Sequence, residues 1–310
     1  MKDLAVLITI YNDEEGLHTA LESIREEDNR FTVVIVDGAS TEPPTLRKEH
    51  YPFEVILIRQ EERSGIVGGL NEGLAYIREK GFRFVARLDA GDRQIPDRLE
   101  IQYQKLKNSD RLAMIGSNAN YFSEETGDKI FVTDLPLNSA GIRKWSVFQT
   151  CFIHPTVMID LSRIDDSLCY ESRHLHIEDY VLFTKIAERY ETENIPQPLL
   201  DCLVRESGIS LSNDRAQLLS GIRHHLENPK LLTPLWYAYV LKRITYLILP
   251  YRLRVSIKKL FGFVRNPARM PNPSDQQLES LNSGNRHVRL KRLPARSTSP
   301  KHNRSQFLTQ

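Results

Sequence analysis

Two aspartates, Asp89 and Asp92, follow an apolar run in the stretch ARLDAGDRQIPDRLE. Carboxylates at the end of a buried strand are oxygen ligands of the kind that Mg²⁺ or Mn²⁺ accepts, so the pair predicts a divalent cation site. Two acids in a loop also fit a turn and a helix cap, in which Asp92 would open a helix that Pro96 begins. The spacing alone leaves both interpretations open.

A third carboxylate, Asp179, begins the helical pattern HIEDYVLFTKIAERY. It shares one helix face with apolar residues at 183, 186, 187 and 190, so we expect its carboxylate to line a cleft beside the core. A carboxylate so placed can accept a proton from a substrate hydroxyl, and the alternative is a simple helix cap. Glu178 lies about 100° around the helix and is expected to orient a neighbour or an acceptor molecule.

Three further polar residues are candidates for substrate contacts. His154 precedes a proline in CFIHPTVMID, Arg63 precedes a glycine-rich stretch, and Asn71 lies within that stretch, GIVGGLNEGL. A buried histidine, a solvated arginine and a loop-supporting asparagine are the alternatives. The stretch lacks the GK[ST] ending of a phosphate loop, and no GxGxxG follows the first strand. If a nucleotide binds, a cation held by carboxylates is therefore the expected partner of its phosphates.

Alternating strands and helices must position these residues. Apolar, β-branched runs predict strands at 4–10, 32–37, 54–58 and 84–88, and amphipathic patterns predict helices at 14–26, 68–79 and 96–106. This alternation predicts an α/β fold with a mostly parallel sheet covered by helices on both faces. Three strands run into the polar clusters TIYN, DGAST and DAGD, at the end where open parallel sheets bind ligands. Residues 112–160 are less regular, with strands expected at 113–116 and 129–132.

Composition changes along the chain. Residues 229–263 contain seven basic residues, no acid and many large apolar ones, but the longest uncharged run is too short to span a membrane. An amphipathic segment lying on an anionic lipid surface and a helical pair packed on the domain both fit. Residues 265–310 hold nine Lys or Arg against two acids and should be disordered from 266 onward. Phe307 is the tail's sole aromatic residue, which argues against nucleic-acid binding.

The termini and cysteines indicate where the chain works. LAVLITIYN follows the first residues directly, without the basic region or cleavage site of a signal peptide, and is expected to be a core strand. Three cysteines, Cys151, Cys169 and Cys202, cannot all pair, which favours a reducing compartment. We therefore expect a cytoplasmic protein, bound peripherally at the inner face of the cell membrane.

Six segments in order, VLITIYNDEEGLHTALESI, VVIVDGAST, GGLNEGL, ARLDAGDRQIPDRLEIQ, HPTVMI and IEDYVLFTKIA, resemble the family 2 glycosyltransferases with the GT-A fold. The resemblance covers residues 3–210, and it implies inverting transfer of a sugar from a nucleoside-diphosphate donor to an acceptor hydroxyl. By position it makes Thr9, Tyr11 and Asp37 the nucleoside contacts and Asp89 a ribose or metal contact. It also makes Asp179 the general base and places His154 beside the acceptor.

Two positions depart from the family's pattern. The usual VDDGS is VDGAS, so Gly38 stands where a second acid often reads the base, which leaves the base open. The usual DADD is DAGD, so Gly91 stands where the second acid of a DxD element would be. Asp92 or water would complete the shell of Mg²⁺ or Mn²⁺, which keeps several waters in most sites.

The resemblance also implies an organisation and a biological setting. A GT-A domain would span 1–225, with a nucleotide-binding half (1–115) and an acceptor half (116–225), followed by an amphipathic helical extension (226–264) and a basic tail (265–310). The acceptor would be a saccharide or a lipid-linked saccharide of cell-surface polysaccharide or lipopolysaccharide synthesis. A nucleotidyltransferase on a related sheet and a non-catalytic sugar-nucleotide-binding protein are the alternatives.

Overall fold

The computed structural model describes residues 1–26, 28–204, 214–229, 233–249, 253 and 264–265. All of these belong to one compact unit, Met1–Arg269. The tail that the sequence predicts to be disordered, 266–310, lies outside the described residues.

Ten strands in the described part of the chain form a single mixed sheet. They are β1 Leu4–Ile10, β2 Thr32–Asp37, β3 Glu54–Arg59, β4 Phe84–Arg87, β5 Arg93–Gln94, β6 Leu112–Ser123, β7 Lys129–Thr133, β8 Met158–Asp160, β9 Glu191–Val204 and β10 Val264–Arg265. The order is β10-β7-β6-β8-β4-β1-β2-β3, and β9 pairs with both β5 and β6. The predicted parallel core is confirmed, because β4, β1, β2 and β3 are parallel neighbours.

Seven α-helices occur in the same described ranges. They are α1 Glu14–Ser23, α2 Gly65–Glu79, α3 Arg98–Lys107, α4 Ser139–Ser146, α5 Glu178–Arg189, α6 Asp214–Glu227 and α7 Pro234–Ile248. The even-numbered residues Leu4, Val6 and Ile8 of β1 pack with α1 and α3, and the odd-numbered Ala5 and Leu7 pack with α2. Alternate side chains of one strand thus enter two hydrophobic cores, which is why these strands are apolar throughout.

The sheet changes character beyond β4. The short β8 is antiparallel to both β4 and β6, whereas the long β6 and β9 run parallel to each other with register shifts. The sequence prediction for β6 was too short, because its polar half, from Ser117 to Ser123, lacks the apolar pattern of a buried strand. These strands extend past the end of β4 and form one wall of the crevice at the carboxyl end of the sheet.

The predicted start of α3 at residue 96 is wrong. The helix begins at Arg98, after Asp97 in the left-handed conformation with φ 62°, and not at Pro96. Asp97 makes no side-chain cap; the carboxylate of Glu26 accepts instead from the backbone N–H groups of Leu99 and Glu100. A distant acid therefore caps the helix, and Asp92 does not open it.

The helices α6 and α7 pack on the rest of the unit. The ring of His225 stacks on Tyr239 with centroids 3.6 Å apart, and Trp236 Nε1 donates to the carbonyl of His225 over 3.0 Å. Gln217 Nε2 donates to the carbonyl of His176, directly before α5. Of the segment 229–263, for which the sequence left a helical pair and a lipid-bound segment open, the described residues contain the helix α7, and residues 250–252 and 254–263 lie outside them. Within the described residues, no helix has the length and apolar character needed to cross a membrane.

Candidate functional site

The carboxyl ends of β1 and β2 bring the predicted nucleoside contacts together. Tyr11, just past β1, has its ring under the guanidinium of Arg63, whose central carbon lies 3.9 Å from the ring centroid. Thr9 Oγ1 is buried and has no hydrogen-bond partner within the described structure, so it offers a polar atom to a ligand. The pairing of Tyr11 with Arg63 was not foreseen, because nothing in the sequence joins residues 52 positions apart.

Asp37 closes this end of the site from β2. Its side chain is fully buried; Oδ1 accepts from the backbone of Ser40, and Oδ2 accepts from Arg59 Nη1 at 3.1 Å. Arg59, which the sequence analysis did not single out, neutralises this buried carboxylate. The next residues turn sharply, and Ala39 adopts φ 62°, the left-handed conformation that glycine adopts at no steric cost.

Asp89 is the exposed acid at the end of β4. Its side chain is 39% exposed, Oδ1 accepts from Arg87 Nη2 at 2.6 Å, and Oδ2 has no protein partner in the described structure. The turn from Asp89 to Asp92 is closed by the N–H of Asp92 on the carbonyl of Asp89 at 3.2 Å. Gly91 occupies its third position with φ 89°, as a type II turn requires.

Asp92 does not fit the role of a second cation ligand. It is buried, and Oδ1 accepts from the backbone N–H of Leu203 on β9 at 3.3 Å. Burial, and after it the charge of Asp89, raise the pKa of Asp92 to about 8. A carboxyl that is buried and bonded to the neighbouring strand is a poor ligand for a hard cation, so these contacts disfavour Asp92 as a ligand and its role stays a prediction to be tested.

The cluster near Asp89 contains Arg87 from the end of the same strand and residues from three other segments. His154 Nε2 lies 3.3 Å from Arg87 Nε and 3.0 Å from the hydroxyl of Tyr170. Burial lowers the pKa of His154, as does Arg87, while the carboxylates of Asp89 and Asp179 act to raise it. The charges of Asp89 and Asp179 therefore both act on His154, and a common site for the three residues stays a prediction.

Glu178 and Asp179 begin α5 at the edge of this cluster. Burial raises the pKa of both carboxyls, and each is raised further by the other acids. Along the same face, Phe183, Ile186 and Ala187 are buried in the core, as the periodicity predicted. Glu178 Oε2 is buried without a hydrogen-bond partner in the described part, which leaves an acceptor atom for a bound hydroxyl.

Asn71 is connected to the site through the backbone. Its Nδ2 donates to the carbonyl of Tyr170 and its Oδ1 accepts from the N–H of the same residue, over 2.8 and 3.0 Å. The amide is thus used to hold Tyr170, whose hydroxyl contacts His154. Both Arg87 and Tyr170 were missed by the sequence analysis. Arg87 did carry a signal, because it is the only charged residue in the buried strand FVAR.

The side chains of the site fit a cation that takes most of its ligands from a bound phosphate and water. The described residues contain no group of three or more His, Cys, Asp or Glu side chains placed to hold a metal ion. Asp89 offers a carboxylate that is 39% exposed, whereas the unpartnered oxygen of Glu178 is buried. Mg²⁺ and Mn²⁺ sites of this kind are completed by substrate phosphates and water.

Comparison with known proteins is consistent with this geometry. The family model for glycosyl transferase family 2 matches residues 5–159. The O-antigen biosynthesis glycosyltransferase WbnJ of Escherichia coli is 33% identical over 209 residues, which are 65% of this chain and 78% of the relative. The amylovoran biosynthesis glycosyltransferase AmsE of Erwinia amylovora is 26% identical over 203 residues, 63% of this chain and 74% of the relative.

Solved structures share the fold at low sequence identity. Residues 1–349 of S. aureus TarS in complex with UDP-GlcNAc superpose with a TM-score of 0.58 at 16% identity, over 84% of this chain and 78% of that one. The mannosyltransferase PcManGT from Pyrobaculum calidifontis in complex with GDP-Man and Mn²⁺ gives 0.54 at 18% identity, over 91% and 79%. These likenesses confirm the GT-A fold that the sequence predicted.

Proposed function

Because the chain belongs to glycosyl transferase family 2, and is therefore a glycosyltransferase, we propose that it moves a sugar, with inversion, from a nucleoside-diphosphate donor to an acceptor hydroxyl. Family membership favours this over the nucleotidyltransferase and the non-catalytic binding protein that the sequence left open. The observation that carries the proposal is the cluster at the carboxyl end of β4, where Arg87 joins Asp89 and His154 through hydrogen bonds of 2.6 and 3.3 Å.

The donor's nucleoside would lie between β1 and β2. The ring of Tyr11, with Arg63 over it, is a stacking surface for a base or a positive contact for a phosphate. Thr9 Oγ1 would bind the sugar or base edge, and Asp37, which is fully buried and paired with Arg59, would hold the backbone of Ser40 in place. The titles of the TarS and PcManGT structures give UDP and GDP sugars as their ligands, which supports a nucleotide-sugar donor without choosing the base.

The donor's diphosphate would lie beside Asp89. Cleavage of a glycosyl phosphate builds negative charge on the leaving diphosphate. Asp89 would hold a Mg²⁺ or Mn²⁺ ion, which would supply compensating positive charge there. Arg87 keeps the carboxylate of Asp89 oriented for this contact through the 2.6 Å bond.

The acceptor would enter beside α5. Its hydroxyl, with a pKa far above 7, must lose a proton as it attacks the anomeric carbon, and Asp179 is the proposed base. Burial raises the pKa of Asp179, which makes its carboxylate a better proton acceptor. Direct attack on the face opposite the diphosphate inverts the anomeric centre. Glu178, with its buried unpaired oxygen, would bind the acceptor hydroxyl.

A transfer assay with a panel of nucleotide sugars tests the proposal. Asp179→Asn should lower the turnover number about 10²- to 10⁴-fold with the fold intact, since that is what a general base contributes. Glu188→Gln, at an exposed position on the same helix, is the matched control and should retain activity. Full turnover by purified Asp179→Asn would remove Asp179 from the mechanism, and cleavage between the two phosphates of the donor would indicate nucleotidyl transfer.

The setting that we propose is the inner face of the cell membrane, with a saccharide or lipid-linked acceptor of surface polysaccharide or lipopolysaccharide synthesis. The names of WbnJ and AmsE support the polysaccharide assignment. The exposed residues of α7 contain no charge and form an apolar stripe, Tyr237, Leu241, Ile244 and Ile248, at spacings of four, three and four. Residues 228–274 contain nine basic residues and no acid, which complements anionic lipid.

Vesicle sedimentation tests this surface. The full chain should bind vesicles that contain anionic lipid, and Leu241→Glu with Ile248→Glu should abolish binding because charge replaces apolar contact. Leu137→Glu, at an exposed leucine outside α6 and α7, is the matched control and should bind normally. Equal binding of both variants would show that α7 is not the lipid contact.

A further inference from the structure

Arg87 is a buried arginine in the last position of β4. Only 2% of its surface is exposed, and each of its three hydrogen bonds goes to a different segment. Nη1 donates to the carbonyl of Leu7 on β1, Nη2 to Asp89 Oδ1 at 2.6 Å, and Nε to His154 Nε2 at 3.3 Å. Burial of a guanidinium costs free energy unless its donors are paired, and these three hydrogen bonds provide the pairing.

The hydrogen bond to the carbonyl of Leu7 on β1 fixes the position of the Arg87 guanidinium relative to the sheet. Leu7 and Arg87 are register partners in the parallel β1–β4 pair, so the plane of the side chain is tied to the centre of the sheet. A planar fork of five N–H donors fixes both distance and direction for each acceptor, which a flexible ammonium does not. The Asp89 carboxylate and the His154 ring are therefore oriented by the sheet through one side chain.

The same contact sets the protonation pattern of His154. A guanidinium can only donate, and its Nε–H points at His154 Nε2, so that nitrogen must present its lone pair. The hydroxyl of Tyr170, 3.0 Å from the same nitrogen, then also acts as a donor. Tyr170 is held for this contact by the two bonds from Asn71 to its backbone. The ring proton must lie on Nδ1.

We propose that Arg87 is a positioning residue for glycosyl transfer, which orients the carboxylate of Asp89 toward the donor diphosphate and holds His154 as its neutral Nδ1–H tautomer. His154 then serves as a hydrogen-bond donor through Nδ1, and the proton of the acceptor goes to Asp179. This inference rests on the proposed function for its role in catalysis, but its statement about the tautomer rests on geometry alone.

The nitrogen-15 resonances of the His154 ring, measured near neutral pH on the full chain, test the tautomer directly. They are assigned by their loss in His154→Gln. The wild-type ring should show a protonated Nδ1 and an unprotonated Nε2. In Arg87→Gln, where Nε2 loses its charged donor, the two tautomers should both appear. In parallel, the turnover number of Arg87→Gln should fall about 10- to 100-fold, as is typical when a partner of a ligand is removed, with a smaller change in the KM for the acceptor.

Arg83→Gln is the matched control. Arg83 directly precedes the same strand and forms an ion pair with the buried Asp160 at 2.7 Å, with no contact to Asp89 or His154 in the described structure. Its loss should lower stability while leaving the histidine resonances and the turnover number near wild type. Arg87→Lys keeps the buried charge but not the fork, so it should behave like Arg87→Gln at His154.

Two results would overturn the proposal. One is a wild-type His154 ring with its proton on Nε2, and the other is an Arg87 variant that matches Arg83→Gln in both readouts. If Arg87→Gln does not fold, Arg87→Lys and the wild-type tautomer still decide the question. Absence of sugar transfer by the wild-type chain would instead refute the proposed function, since the resonances do not depend on activity.

Discussion

Replacement of Asp92 by asparagine separates the two acids of the Asp89 turn. Burial and the nearby Asp89 hold the pKa of Asp92 at about 8 in the folded chain, against an ordinary value of 3.8. Between about pH 4 and 8 the unfolded chain has this carboxyl ionised while the folded chain has it protonated, so unfolding releases a proton. The free energy of unfolding must therefore fall as pH rises through this window, by about 1.4 kcal/mol per pH unit from this group.

Asparagine has the same shape, keeps an acceptor for the N–H of Leu203, and does not titrate. At about pH 7 the substitution should therefore raise the free energy of unfolding, by about 4 kcal/mol at most, and the gain should vanish toward about pH 4. Urea denaturation of both proteins across this range, with chelator present, measures the difference. A constant difference between the two proteins at all pH values would refute the reasoning about burial.

The same variant decides whether Asp92 reaches the cation. Because its carboxyl is buried against β9, Asp92→Asn should retain sugar transfer with an unchanged Mn²⁺ requirement, whereas Asp89→Asn should lose activity. If Asp92→Asn needs more Mn²⁺ or loses turnover, Asp92 is ionised at the site and the first sequence prediction stands.

Three further predictions follow from individual side chains. Burial raises the pKa of Asp179, and a base must be ionised to act, so the turnover number should fall as pH drops through that raised value; a profile that stays flat down to the ordinary range of aspartate would contradict this. Ala39→Gly should raise the free energy of unfolding by up to about 1 kcal/mol in urea denaturation, since Ala39 has φ 62° and glycine adopts that conformation without steric cost; an unchanged or lower value would be contrary to expectation. Gly73→Ala should lower it by about 1–3 kcal/mol, since the new Cβ would lie 2.2 Å from Leu7 Cδ1 and 3.0 Å from Val36 Cγ2; undiminished stability would show that Leu7 moves aside.

The parallel half of the fold was predictable because its strands are apolar on both faces. The bounds of β1 and β2 match the sequence prediction, and β3, β4 and α2 differ by one to three residues. The sequence could not show the extent of β6 and β9, whose ends carry Asn, Ser and Asp side chains that pair across strands, as Asn120 does with Asp201 over 2.6 Å. Such strands are stabilised by partners distant in sequence, so the local sequence pattern does not predict where the strands end.

The sequence indicated the residues that we propose to contact a substrate, but it did not indicate the residues that hold them in place. Asp89, His154 and Asp179 occur in segments with a recognisable order, so their convergence could be expected. Arg87 and Tyr170 both contact His154, which is 67 and 16 residues away from them in sequence. In the sequence, only Arg87 was marked, as the single charge in a buried strand. The burial of Asp92 could not be expected from the sequence, because spacing along the chain gives no measure of burial, and burial influences whether a carboxyl is ionised.

Gly91 stands where the resemblance to the family implies a second acid, and its backbone conformation favours glycine. Gly91 has φ 89°, and its N–H donates to the carbonyl of Gly16 over 2.9 Å, which ties the turn to the first helix. An aspartate at this position would adopt a conformation that costs a side-chain-bearing residue roughly 1–2 kcal/mol. This conformation disfavours the second acid that the resemblance to the family implies at position 91, and Asp89, bonded to Arg87, is the carboxylate that we propose for the cation. A cation held by one carboxylate needs the donor's phosphates for its remaining ligands, so cation and donor should bind as a unit.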